Sequence, residues 1–126
     1  MQNLNIEETG KTPGINFNTE SGQLIIKGRS IPENSLAFYQ PVLDCMDEYC
    51  NSPKEKTSII IQLDYFSTSS SKCILDLFKK LENLHKLGKN TEIQWLFEEN
   101  DENIRDAGAD YQSMVEVPFQ IIPISG

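Results

Sequence analysis

Arginine and histidine are almost missing from this sequence. Arg29, Arg105 and His85 are all it has of them, and the formal net charge is −8. Binding to nucleic acid or to an anionic membrane needs clustered Lys and Arg, so neither partner is expected. The three cysteines, Cys45, Cys50 and Cys73, form no C-x-x-C motif and have no neighbouring histidine. They read as reduced, buried thiols rather than a metal or redox site, and no cofactor is expected. No apolar run approaches the roughly 20 residues of a membrane span. The start, MQNLNIEETGK, lacks the basic-then-apolar pattern of a secretion signal, so a cytoplasmic location is expected. What remains as partners are proteins or small molecules.

The composition that is present fits an ordinary globular domain, with 38% hydrophobic and 24% charged residues in 126. One domain over residues 1–126 is expected, its first dozen polar residues partly frayed. The stretch GINFNTESGQLIIKG places two short apolar segments around a Glu20-Ser21-Gly22 turn and predicts a β-hairpin. Next, PENSLAFYQPVLDCMDEYC carries Tyr39, Val42, Leu43, Met46 and Cys50 at helical spacing, with Asn34 or Ser35 as cap. Pro41 predicts a kink or a late start in that helix. TSIIIQLDYF is the strongest strand, and its Ile59-Ile60-Ile61 run predicts burial on both faces. A clear helix follows, lined by Ile74, Leu77, Phe78, Leu81 and Leu84 and stopped at Gly88. TEIQWLFEE alternates as a strand, residues 104–114 form a short helix, and VPFQIIPI closes as an edge strand or strand end marked by its prolines. The order is β-β-α-β-α-β-α-β, an α/β fold with a mixed sheet and helices packed on it.

Between the best strand and the best helix lies DYFSTSSSK, residues 64–72, with five consecutive hydroxyls. Thr68 and Ser69 stand where a helix N-cap belongs, and capping needs one hydroxyl or two. A phosphate-binding loop needs glycines, and the tract has none. Ser69-Ser-Ser-Lys72 matches the S-x-x-K pattern of serine acyl-transferring enzymes, but their S-D-N and K-T-G companions are absent. His85 lies about four turns along the same helix, roughly 20 Å away, too far to act as base. Phosphorylation is the third reading. A phosphate there would add about −1.5 to −2 charges beside the positive end of a helix, which the fold tolerates. On residue chemistry alone, a small ligand-binding or enzymatic α/β domain and a plain adaptor also remain open.

The chain resembles the SiaC family of bacterial regulatory phosphoproteins, which are similar in fold to STAS-domain anti-sigma-factor antagonists. The resemblance runs through TPGINFN, IPENSLAFYQPVLDCMDEY, LDYFSTSSSKCILDLFKKLENLHKLGKN and VPFQI, and is carried most strongly by Pro32 to Ser35 and Thr68 to Ser70. It implies a non-catalytic partner-switching protein. A Ser/Thr kinase would phosphorylate Thr68, with Ser67 and Ser69 as alternatives, and a PP2C-type phosphatase would reverse it. The unmodified form would bind and activate a diguanylate cyclase, raising cyclic-di-GMP and favouring biofilm. An anti-sigma-factor antagonist acting on a transcription pathway is the alternative. Asp64, Tyr65, Ser69, Ser70 and Lys72 are the expected docking surface.

Overall fold

Leu4-Asn5-Ile6 offers too few residues to announce a strand, yet in the computed structural model, which describes residues 2–125, it forms β1 (Leu4–Ile6). It pairs antiparallel with β2 (Gly14–Asn18), setting Leu4 against Phe17 and Ile6 against Ile15. Within the first dozen residues, expected to be partly frayed, Leu4–Ile6 is thus paired into the sheet. Asn3 Oδ1 accepts from the Thr19 backbone N–H at 2.9 Å, and the Ile31 N–H donates to the Lys11 carbonyl at 2.8 Å. Met1 lies outside the described residues. The order gains one strand over the expected one: β3 (Gln23–Ser30), α1 (Ser35–Cys50), β4 (Lys56–Phe66), α2 (Thr68–Lys86), β5 (Asn90–Glu98), α3 (Glu102–Met114) and β6 (Phe119–Ile124) follow.

The six strands lie in chain order across one mixed sheet. β1, β2 and β3 are antiparallel neighbours, and β3 to β6 are parallel, each step crossing through a helix. Right-handed crossovers repeated in one direction put all three helices on the same face. That explains a second correction. In β4, Thr57, Ile59, Ile61 and Leu63 are buried, while Ser58, Ile60 and Gln62 are only partly covered. The isoleucine run is buried on one face, and β6, with Pro123, is an edge strand as its prolines suggested.

In α1, Asn34 is the N-cap, accepting from the Ala37 N–H at 3.0 Å. The helix runs unbroken through Pro41, so the late start does not occur; the missing N–H costs the bond to the Ala37 carbonyl. α2 buries the apolar stripe read from its periodicity. It ends where Gly88 takes φ +84°, with the Gly88 N–H on the His85 carbonyl (2.9 Å) and the Lys89 N–H on the Leu84 carbonyl (3.1 Å). These are the two bonds of a Schellman stop, which glycine enters without Cβ strain. α3 approaches the sheet closely at Gly108, where any Cβ would collide with the Trp95 ring. Trp95 is fully buried and its indole N–H donates to the Ile104 carbonyl at 2.8 Å.

The parallel register pairs Ser30, the last residue of β3, with Phe66, the last of β4. Each strand then turns into a helix, so the starts of α1 and α2 come together at one end of the sheet.

Candidate functional site

Ser67, directly after β4, is tied to the end of β3: its backbone N–H donates to the Ser30 carbonyl at 2.9 Å. That bond fixes where α2 begins. Ser67 is the N-cap, its Oγ accepting from the Ser70 N–H at 3.2 Å. The expected caps, Thr68 and Ser69, are instead the first two helical residues, because the sheet contact sets the boundary one residue earlier.

The five hydroxyls then separate by environment. Ser70 is fully buried, which corrects its expected place on a docking surface. Its Oγ donates to the Ser30 carbonyl (3.0 Å) and accepts from Ser30 Oγ (2.8 Å) and Ser67 Oγ (3.0 Å). Ser30 Oγ spends its proton on Ser70, so the Tyr39 hydroxyl donates to it at 2.6 Å. Burial, the largest influence, pushes the Tyr39 phenol up to about 12, so it stays a neutral donor. Ser69 is exposed, but its Oγ sits 2.7 Å from Ser35 Oγ and 3.2 Å from Ser67 Oγ. Ser71 is half-buried and donates to the Thr68 carbonyl at 2.6 Å. Among the described residues Thr68 Oγ1 has no hydrogen-bond partner, and the residue is exposed. Of the five, Thr68 alone is both accessible and uncommitted.

The surroundings of Thr68 are partly apolar. Tyr65 is 51% exposed, and the Arg29 guanidinium lies 5.6 Å from its ring centroid. Asp64 is exposed beside it. Lys72, also exposed, pairs with no carboxylate among the described residues. It stands at the rim of a groove of about 240 Å³ between α2 and α3, walled by Phe66, Leu75, Ala107, Tyr111 and Met114. Tyr111 is a fixed wall: its hydroxyl donates to the Ser71 carbonyl at 2.8 Å, and its ring packs against Phe78 and Trp95. Leu36, 61% exposed in the first turn of α1, was not singled out from sequence, since its position matters only once α1 and α2 are seen to start together. Ser30, Ser35 and Tyr39 were missed as partners of the tract for the same reason; only the Pro32 to Ser35 resemblance pointed there.

Of the other candidates, Asp101 of the acidic run lines a pocket with Asp64, Tyr65 and Phe66. Arg105 reaches the neighbouring Asp106 at 3.4 Å. The acidic run after β5 is a turn leading into α3, where Asp101 is the N-cap and accepts from the Ile104 N–H at 3.1 Å. His85 Nδ1 lies 3.4 Å from Thr91 Oγ1, in the last turn of α2. All three cysteines are free, and burial raises their thiol pKa values, which lowers their reactivity. Among the described residues no group of three or more His, Cys, Asp or Glu side chains gathers as a metal site, and no helix is long and apolar enough to cross a membrane.

Comparison with known proteins places the chain in a family. An uncharacterised protein of Pseudomonas aeruginosa strain UCBPP-PA14 is 27% identical over 121 residues, 96% of each chain. The crystal structure of apo-SiaC from Pseudomonas aeruginosa superposes with a TM-score of 0.90 at 27% identity, covering 97% of this chain and 99% of that one. A chain in the crystal structure of the diguanylate cyclase SiaD in complex with its activator SiaC, from the same organism, gives 0.92 at 26% identity, covering 96% and 99%. Residues 6–124 match the SiaC family regulatory phosphoprotein along nearly the whole described chain. The chain belongs to the SiaC family of regulatory phosphoproteins.

Proposed function

We propose that this protein, acting in the cytoplasm as one domain over residues 1–126, is a partner switch whose state is written at Thr68. The unphosphorylated form binds and activates a diguanylate cyclase, raising cyclic-di-GMP and favouring biofilm. A Ser/Thr kinase adds the phosphate, and a PP2C-type phosphatase removes it. The chain regulates and does not itself catalyse. The observation that carries the site assignment is the free, exposed Thr68 hydroxyl in the first turn of α2. The complex formed by the Pseudomonas aeruginosa relative favours a cyclase over a transcription-pathway target.

The switch works through charge rather than unfolding. A phosphate on Thr68 gains roughly 0.3–1 kcal/mol from the helix N-terminus, so α2 stays folded. The same −1.5 to −2 charges, on the order of two units, sit amid Asp64, Tyr65, Ser69 and Lys72, the surface that meets the target. Neutral or acidic groups of the target that dock there are repelled. The test is incubation with the kinase and ATP, followed by site mapping. One phosphoryl group on Thr68 is expected, and very little on Thr68→Ala; equal labelling of that variant would refute the assignment.

A further inference from the structure

Thr68 and Ser69 are adjacent and both exposed, so exposure does not explain why one and not the other should be the acceptor. We propose that Ser35, on α1, is the specificity-determining residue: its hydroxyl engages Ser69 and leaves Thr68 as the only competent acceptor. This rests on the reading of Thr68 as the phosphorylated residue.

In the transfer, the acceptor oxygen attacks the γ-phosphorus of ATP. The new O–P bond forms as the bond to the leaving ADP breaks, and the hydroxyl proton passes to the kinase's base. An acceptor therefore needs a free lone pair and a proton it can release. Ser69 has its proton and one of its two lone pairs committed. Ser67 Oγ has already given its proton to Ser70, so at 3.2 Å it can only accept from Ser69. Ser35 Oγ, at 2.7 Å, then donates to one Ser69 lone pair and holds that side chain in place. Ser67 belongs to the same turn as Ser69, whereas Ser35 reaches in from a separate helix and is held there. Ser35 is buried, follows the Asn34 cap directly, and lies 3.3 Å from the fixed Ser70 hydroxyl. Consecutive helical residues also point about 100° apart, so a kinase seated on Thr68 must turn the helix face to reach Ser69. The Ser35 bond opposes the local unwinding that such a change needs.

Releasing one hydrogen bond of ordinary net strength changes a rate by about fivefold. The test uses the purified full-length protein, ATP and native-cell extract as the kinase source, with quantitative phosphosite mapping. Wild type should be labelled at Thr68. Thr68→Ala should be nearly unlabelled, and Thr68→Ala/Ser35→Ala should gain Ser69 labelling at about five times the Thr68→Ala rate. Thr68→Ala/Ser35→Thr, which restores a hydroxyl, should return to the low rate, separating the hydroxyl from any loss of packing. Equal Ser69 labelling with and without the Ser35 hydroxyl overturns the role of Ser35 while leaving Thr68 as the acceptor. Wild type labelled at Ser69, or not labelled at all, overturns the parent reading and this one together.

Discussion

Deleting the hydroxyls of the tract one at a time should give stability losses that follow their bonding, not their exposure to modification. Ser70→Ala removes a fully buried group with three hydrogen bonds shorter than 3.1 Å. The Ser30 carbonyl keeps the Ser67 N–H, and Ser67 Oγ is close enough to the surface to find water. Ser30 Oγ, however, is buried with its proton aimed at the missing atom. One unsatisfied buried donor costs about 1–3 kcal/mol, so a loss near 2 kcal/mol is expected. For a domain of this size that corresponds to a fall in Tm of about 6–10 °C. Thr68→Ala breaks no bond and should stay within about 0.5 kcal/mol of wild type. Ser69→Ala, losing its exposed-side contacts, should fall between, at about 0.5–1.5 kcal/mol. Urea unfolding followed by fluorescence of Trp95, the one tryptophan in the sequence, reads all three. Equal stability of Ser70→Ala and Thr68→Ala would refute the division into structural and free hydroxyls.

Two further outcomes are expected. Glu82 Oε2 accepts from the Glu116 N–H at 2.6 Å, with Lys79 and Lys86 nearby, and that backbone bond above all lowers the carboxyl pKa. Its stabilisation is therefore complete above the usual glutamate value of about 4.3 and fades as pH falls below it, so the stability gap between wild type and Glu82→Gln should close in acid titrations monitored by circular dichroism. A gap that widens in acid would contradict the bond. Gly108→Ala forces a methyl into the Trp95 ring and should cost about 1–3 kcal/mol with a changed Trp95 emission, whereas Ala109→Gly, at an exposed site, should cost about 1 kcal/mol without that spectral change.

Much of the architecture was legible because long periodic segments speak for themselves. The apolar stripe of α2, its Gly88 stop, and the alternation of Ile93, Trp95 and Phe97 in β5 all appear where the spacing put them. β1 was not, since three residues carry one alternation and its hold comes from pairing with β2 and from Asn3 on Thr19. Ile60 was misread because a β-branched run looks the same whether helices cover one face of a sheet or both. At the site, the tract and its helix-start position were visible, but five similar hydroxyls could each have capped the helix. What distinguishes them is contact with Ser30 and Ser35, 40 and 35 residues from Ser70 along the chain, with Tyr39 in turn on Ser30. No local pattern encodes that.

The central claim is that a phosphate at Thr68 turns target binding off while the fold stays intact. Its most direct test is the affinity of the diguanylate cyclase for the unmodified protein and for stoichiometrically Thr68-phosphorylated protein, measured side by side with thermal unfolding of each. An affinity loss of at least about tenfold, or 1.4 kcal/mol, is expected, with Tm unchanged or slightly raised. Equal affinity of the two forms, or an affinity loss accompanied by unfolding of the phosphorylated protein, would contradict it.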